Sequence, residues 1–225
     1  VLLSNIWEWI EQTIFPLPSV GGERPLFNLY RDCDPTLEQP DGEVTRCANL
    51  RNYLASFEGL PRILIVGEAP GWRGCRFSGA PFCSEAQLVA GRLPFAGQPT
   101  SRAKKPYSEA SATHFWQVLS QYHPHFLAWN CVPLHPYQPG RPLSNRAPSR
   151  AEILHWLPLL LEFIAILQPQ HVIAVGRSAQ TALQAGGVPA LAARHPAHGG
   201  AKVFYQQISE AHHRWLGTLL APESG

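Results

Sequence analysis

The chain has 225 residues, 45% of them hydrophobic and 15% charged, with a net charge of +2 at pH 7. That length can bury one sizeable core. Its longest apolar stretch, 157–167, is broken by Pro158 and Glu162 and is too short to span a bilayer. The five cysteines, at 33, 47, 75, 83 and 131, are odd in number and form no Cys-x-x-Cys pair. They argue against a secreted disulfide framework and for reduced thiols in a cytoplasmic protein.

The charge is unevenly spread. Residues 1–60 carry 4 Lys and Arg against 9 Asp and Glu, whereas residues 61–225 carry 14 against 7. A basic body behind an acidic start suits a protein that neutralises a few phosphates, and suits a moderately basic enzyme equally. The 22 prolines and 18 glycines come without Ser/Gly or charge-block tracts, so they imply long ordered loops.

In chain order, Ser4 or Asn5 can cap a helix through Ile6, Trp9, Ile10 and Ile14, ended by Pro16 and Pro18. An acidic loop leads to a helix over 45–57. The run 62–66 is continuously apolar, as in a strand buried on both faces, and Gly67 ends it. A Gly- and Pro-rich loop fills 68–84. A helix opens at Ser111, a second buried strand covers 126–132, and a Pro-rich loop covers 133–148. Ser149 caps a long helix with Glu152 at capping-box spacing. A third buried strand (171–175), a helix (177–185), a short strand near Leu191 and a final helix (201–220) complete the chain. This alternation predicts an α/β fold, a three-layer α/β/α sandwich with a central parallel four-stranded sheet. Residues 1–225 read as one domain, with 1–45 as an N-terminal helix and acidic-loop extension. Three loops, at 67–71, 130–133 and 194–198, follow strand ends and converge on the edge where such sheets bind ligands.

Those loops resemble the motifs of the uracil-DNA glycosylase superfamily. Gly67-Glu-Ala-Pro-Gly71 followed by Gly79-Ala-Pro-Phe82 is similar to the first motif of the iron–sulfur families four and five. Asn130 falls at the base-reading Asn. Asn145-Arg-Ala-Pro148 with Glu152 resembles an Asn-Arg-x-Pro-x-x-x-Glu signature, 172–176 a later core strand, and His195-Pro-Ala197 the second motif. The resemblance covers about residues 60–215 and implies a base-excision repair enzyme, acting as a monomer, that hydrolyses the N-glycosidic bond of uracil in a flipped nucleotide of DNA.

Site roles follow from that resemblance. Gly67, Ala69 and Gly71 belong to the base pocket. Phe82 stacks on the base, with Phe77 as local competitor. The Asn130 amide offers a donor and an acceptor and so matches uracil O4 and N3–H. A neutral His195 stabilises the charge that leaves on the base. Ala69 replaces the Asp that activates water in the best-known branch, and no Asp follows Asp41, so the carboxylate is expected to be Glu85 or Glu68. Glu109 lies far from any motif. At Gly71 the Asp-containing branch has a Tyr that walls off the thymine methyl. Either another side chain supplies that wall or further deaminated bases enter. The loop of His198, Gly199, Gly200 and Lys202 is expected at the minor groove, with Arg146, Arg102, Lys104 and Lys105 as candidate phosphate contacts.

The resemblance also implies four cluster cysteines, and the chain departs from all four places: Cys33 and Cys47 are not a close pair, and the third and fourth positions fall near Leu134 and Trp156. No cluster and no other cofactor is expected, nor zinc at His195 and His198; a replacement metal set would be Cys33, Cys47, His135 and His155. Two rivals remain: a protein of the same fold that binds uracil-containing DNA with little or no catalysis, as Ala69 suggests, and an unrelated small-molecule hydrolase with a Glu/His site. The 67–71 loop is no P-loop, because no Gly-Lys-Ser/Thr follows.

Overall fold

The computed structural model describes residues 2–216 apart from 58, 60 and 198. Helix α1 (Leu2–Trp9) runs on into a π-helical turn over Ile10–Ile14. Ser4 and Asn5 therefore lie inside the helix rather than capping it. Ile6, Ile10 and Ile14 are fully buried, so this segment is part of the core. Strand β1 (Leu26–Phe27) and helix α2 (Gly42–Ala55) follow, the helix starting three residues before the expected position.

Buried inside this region is an ion triad. The Glu38 carboxylate bonds the Arg46 and Arg76 guanidinium groups, and all three side chains are almost without solvent contact. Burial pulls the Arg76 guanidinium down to about 10, while Glu38 beside it opposes the fall. One acidic residue of the N-terminal segment thus serves as an internal counterion.

Strand β2 (Ile63–Gly67) is buried throughout. The loop after it holds two short helices, α3 (Cys75–Ser78) and α4 (Glu85–Val89), too short to leave a periodic signal in the sequence. Helix α5 (Ala110–Leu119) leads to β3 (Phe126–Asn130). A two-residue strand, β4 (His135–Pro136), pairs antiparallel with β1 and ties the loop after β3 to the N-terminal segment. Helix α6 (Arg150–Leu167) has the capping box expected of Ser149 and Glu152. Strand β5 (His171–Val175), helix α7 (Arg177–Ala185), strand β6 (Leu191–Ala193) and helix α8 (Ala201–Leu216) complete the described chain. No helix among the described residues is long and apolar enough to cross a membrane.

The four main strands are parallel, in the order β3-β2-β5-β6, with Gly67 opposite Asn130. Helices on both faces make the expected three layers. In β3, Phe126 meets Phe115 of α5, whereas Trp129 stacks on Phe163 of α6 at 4.9 Å, so the strand's alternation separates the layers. Asn130 shares the parity of Phe126 and therefore projects on the α5 side. The outer edge of β3 is closed by Tyr53 of α2, whose hydroxyl accepts the Ala128 N–H at 2.7 Å.

Candidate functional site

The carboxyl ends of the strands open onto a cavity of about 670 Å³. That volume suits a small ligand or one nucleotide base with its sugar. The loop after β2 and residues of β3, β5 and β6 all reach it, because a parallel sheet brings every strand's following loop to one edge.

Gly67, expected in the base pocket, ends β2 beneath Phe82 and Asn130 and does not itself line the cavity. A Cβ built there would lie 2.5 Å from the Phe82 ring and 2.9 Å from Asn130 Oδ1. Glycine is needed to let these two side chains meet over the strand end. Phe82 stacks face to face on Phe115 at 4.2 Å, remains part-exposed and lines the cavity. Its φ of +52° lies in the left-handed region, which costs a bulky residue on the order of 1–3 kcal/mol. Phe77, its competitor, is fully buried against Tyr107 and belongs to the core.

Asn130 is 8% exposed, and its amide has no hydrogen-bond partner among the described residues. The amide lines the cavity, so its donor and acceptor are both available to a ligand there. His195 follows β6 and is half-buried at the opposite wall. The Ala197 N–H donates to its Nδ1 at 3.2 Å, so the neutral ring carries its proton on Nε2. Gly200 is required by this turn: a Cβ there would lie 2.1 Å from the His195 carbonyl oxygen.

Ala69 and Gly71 line the cavity as expected, and so does Glu68. The Ser178 hydroxyl at the start of α7 donates to Glu68 Oε2. Glu85 is elsewhere. It is fully buried, and its carboxylate accepts from the Thr100 N–H (2.6 Å), the Ser101 N–H (2.7 Å), the Ser101 hydroxyl (2.6 Å) and the Tyr107 N–H (3.3 Å). With its acceptor sites spent on the 100–107 loop, Glu85 is a structural anchor and not the group that orients water.

Arg146 also differs from the expectation. Its guanidinium makes a two-point bond with Glu152, at 2.6 and 2.9 Å, and reaches the carbonyls of Pro25 and Tyr137. Burial would raise the Glu152 carboxyl, but hydrogen bonds from Arg146, Arg24 and Ser149 outweigh it and hold the group at about 2. Arg146 is thus committed to tying loop 133–148 to α6. Arg102 is likewise turned onto the Glu38 carbonyl. Gly199, Lys202, Lys104 and Lys105 are exposed; Gly200 is buried, so its glycine serves the His195 turn. His198 lies outside the described residues.

Four residues hold places at or beneath the site that the sequence did not assign to them. Glu109, the residue before α5, puts its carboxyl into the space beside Gly71, where an added Cβ would come within 2.4 Å of Oε1. The volume left by Gly71 is therefore filled, not open. Arg177 and Arg194 are exposed at the cavity mouth. His135 is fully buried, and its Nδ1–H donates to the Pro70 carbonyl at 2.7 Å, which fixes the first motif loop from below.

The thiols and imidazoles do not fit an iron–sulfur cluster or the replacement set. Cys33 and Cys47 donate singly to the carbonyls of Gln39 and Tyr30, and buried Leu134 and Trp156 occupy the other two cluster places. His135 is used on Pro70, and among the described residues no three His, Cys, Asp or Glu side chains are grouped to hold a metal.

The family model described as the uracil DNA glycosylase superfamily matches residues 56–215. Among solved structures, wild-type Pedobacter heparinus SMUG2 is similar in fold, with a TM-score of 0.68 over 95% of this chain and 97% of that one, at 12% sequence identity. No curated protein matches the sequence. The family match takes in β2, Asn130 and His195 on the strand ends that build the cavity, and the chain belongs to the uracil DNA glycosylase superfamily.

Proposed function

We propose that this protein is a DNA glycosylase that releases uracil, or another deaminated base, from a flipped nucleotide by hydrolysing the N-glycosidic bond. The observation that carries this reading is the unpartnered Asn130 amide beside the Phe82 ring in one cavity with His195.

A base inside a duplex hides its glycosidic bond, so the nucleotide must leave the stack. Phe82, backed by Phe115, offers it an aromatic face. The Asn130 amide donates to O4 and accepts from N3–H, and cytosine presents the opposite pattern. As the C1′–N1 bond lengthens, charge gathers on O2. The His195 Nε2–H is the donor for that oxygen, and its bond strengthens only as the charge develops, which lowers the barrier. Arg177 and Arg194 at the mouth, with the exposed Lys202, are the proposed phosphate contacts, in place of Arg146.

The test is a substitution panel on uracil-containing single- and double-stranded oligonucleotides. Asn130→Ala and His195→Ala should each lower the single-turnover rate about 10²–10³-fold, His195→Ala without weakening DNA binding. Wild-type rates from both variants would refute the assignment. Tight binding of uracil-containing DNA without base release by the wild type would favour a binding protein of this fold, the reading that Ala69 favours.

A further inference from the structure

We propose that Glu109 is the base that activates the attacking water. The inference rests on the glycosylase reading and goes beyond it by assigning the cleavage half of the site.

The position is built by absence. Gly71 and Gly74 both lack side chains where the Glu109 carboxyl lies; an added Cβ would come within 2.4 Å of Oε1 from Gly71 and 2.1 Å of Oε2 from Gly74. Two glycines thus cradle one carboxyl at the cavity wall. Glu109 directly precedes α5, the helix whose Phe115 supports Phe82, so the carboxyl and the base-stacking ring share one rigid support.

Elimination points the same way. The acidic side chains lining the cavity, among the described residues, are Glu68 and Glu109. Glu68 has Oε2 engaged by Ser178, Glu85 is sequestered from the cavity, and Ala69 has no polar group. Burial raises the Glu109 carboxyl to about 7, with the Ser111 side chain opposing. A general base is most effective when its strength matches the working pH. The Cys75 and Cys83 thiols beside it are raised by their own burial and so stay neutral. The charged or titratable groups facing it across the cavity are Glu68, Arg146, Arg177, Arg194 and His195.

In the step, water gives one proton to a Glu109 carboxylate oxygen while its oxygen bonds to C1′. The C1′–N1 bond breaks and its electron pair passes to the uracil ring, where His195 Nε2–H holds O2. The proton on Glu109 then returns to solvent or to the released base. One water is consumed, and free base and an abasic sugar are formed.

Single-turnover base release and DNA affinity, measured from pH 5 to 9, test this. Wild-type rates should rise tenfold per pH unit below about 7 and then level, because the base must be ionised. Glu109→Gln should lose 10²–10³-fold in rate and lack that rise, with DNA affinity and Tm within error of wild type. Formate should restore part of the rate in Glu109→Ala, which a purely steric or structural role would not allow. The proposal is overturned if Glu109→Gln keeps the rate and the acid limb, if the limb disappears in Glu68→Gln instead, or if the loss follows DNA affinity. Wild-type release with an unchanged Glu109→Gln refutes this residue alone; no release by the wild type refutes the glycosylase reading as well.

Discussion

At the scale of single residues, the site depends on what glycine leaves out. Gly67 lets Phe82 and Asn130 close over the end of β2, while Gly71 and Gly74 make room for Glu109. Gly67→Ala should cost about 1–3 kcal/mol in stability through overpacking, because the new methyl meets the Phe82 ring at 2.5 Å. Base release should fall much further, by at least about 10²-fold, since both recognition groups are displaced together. Urea denaturation and uracil release measured on one preparation would check this, and full activity in the variant would contradict the packing. The residues proposed to read the base were legible in the sequence because Phe82 and Asn130 stand in motifs. Glu109 was not: it stands 38 residues beyond Gly71 and meets it only once α5 folds back over the strand ends.

At the scale of elements, the loops after the strands are held by buried polar anchors whose titration sets acid stability. Burial, aided by the charges of Arg76 and Arg146, lowers the His135 imidazole to about 4, while the Pro70 carbonyl opposes this. The folded state keeps His135 neutral, and the unfolded chain takes up its proton below about 6.5. Stability from this group is therefore full above pH 6.5 and is lost as the pH falls through 4, in total roughly 3 kcal/mol. Glu152, held at about 2, adds a second loss as the pH falls from its unfolded value of about 4.5 through 2. Urea midpoints between pH 4 and 7 should fall for wild type and stay flatter in His135→Asn. Identical slopes would show that His135 is not the group responsible. Ser149 and Glu152 were visible as a capping box, since that device is local. Their links to Arg24 and Arg146, and that of His135 to Pro70, join residues far apart in sequence and leave no spacing to read. The two-residue strands β1 and β4 escaped for the same reason.

At the scale of the molecule, the acidic first 45 residues, which look like an extension in the sequence, are integral to the core. They supply Ile6, Ile10, Ile14 and the Glu38 counterion of two buried arginines. Glu38→Gln should destabilise by roughly 3–5 kcal/mol, because it leaves buried guanidinium charge uncompensated; a change below 1 kcal/mol in urea denaturation would contradict that. The parallel sheet and its order of layers were legible, since continuous apolar runs alternate with helices. The basic mouth was not, because Arg177 opens α7 and Arg194 follows β6, 17 residues further on. DNA affinity should fall steeply with salt, and Arg177→Ala or Arg194→Ala should each reduce the slope by about 1. An unchanged slope would place the phosphate path elsewhere.

The proposed reaction is cleavage at C1′ of a flipped nucleotide held in the cavity. Its most direct test is to incubate the purified protein with a uracil-containing oligonucleotide in ¹⁸O-water and analyse both products. The predicted result is free uracil, with ¹⁸O incorporated at C1′ of an abasic site in an unbroken strand. Recovery of the intact uracil nucleotide at saturating protein would contradict it.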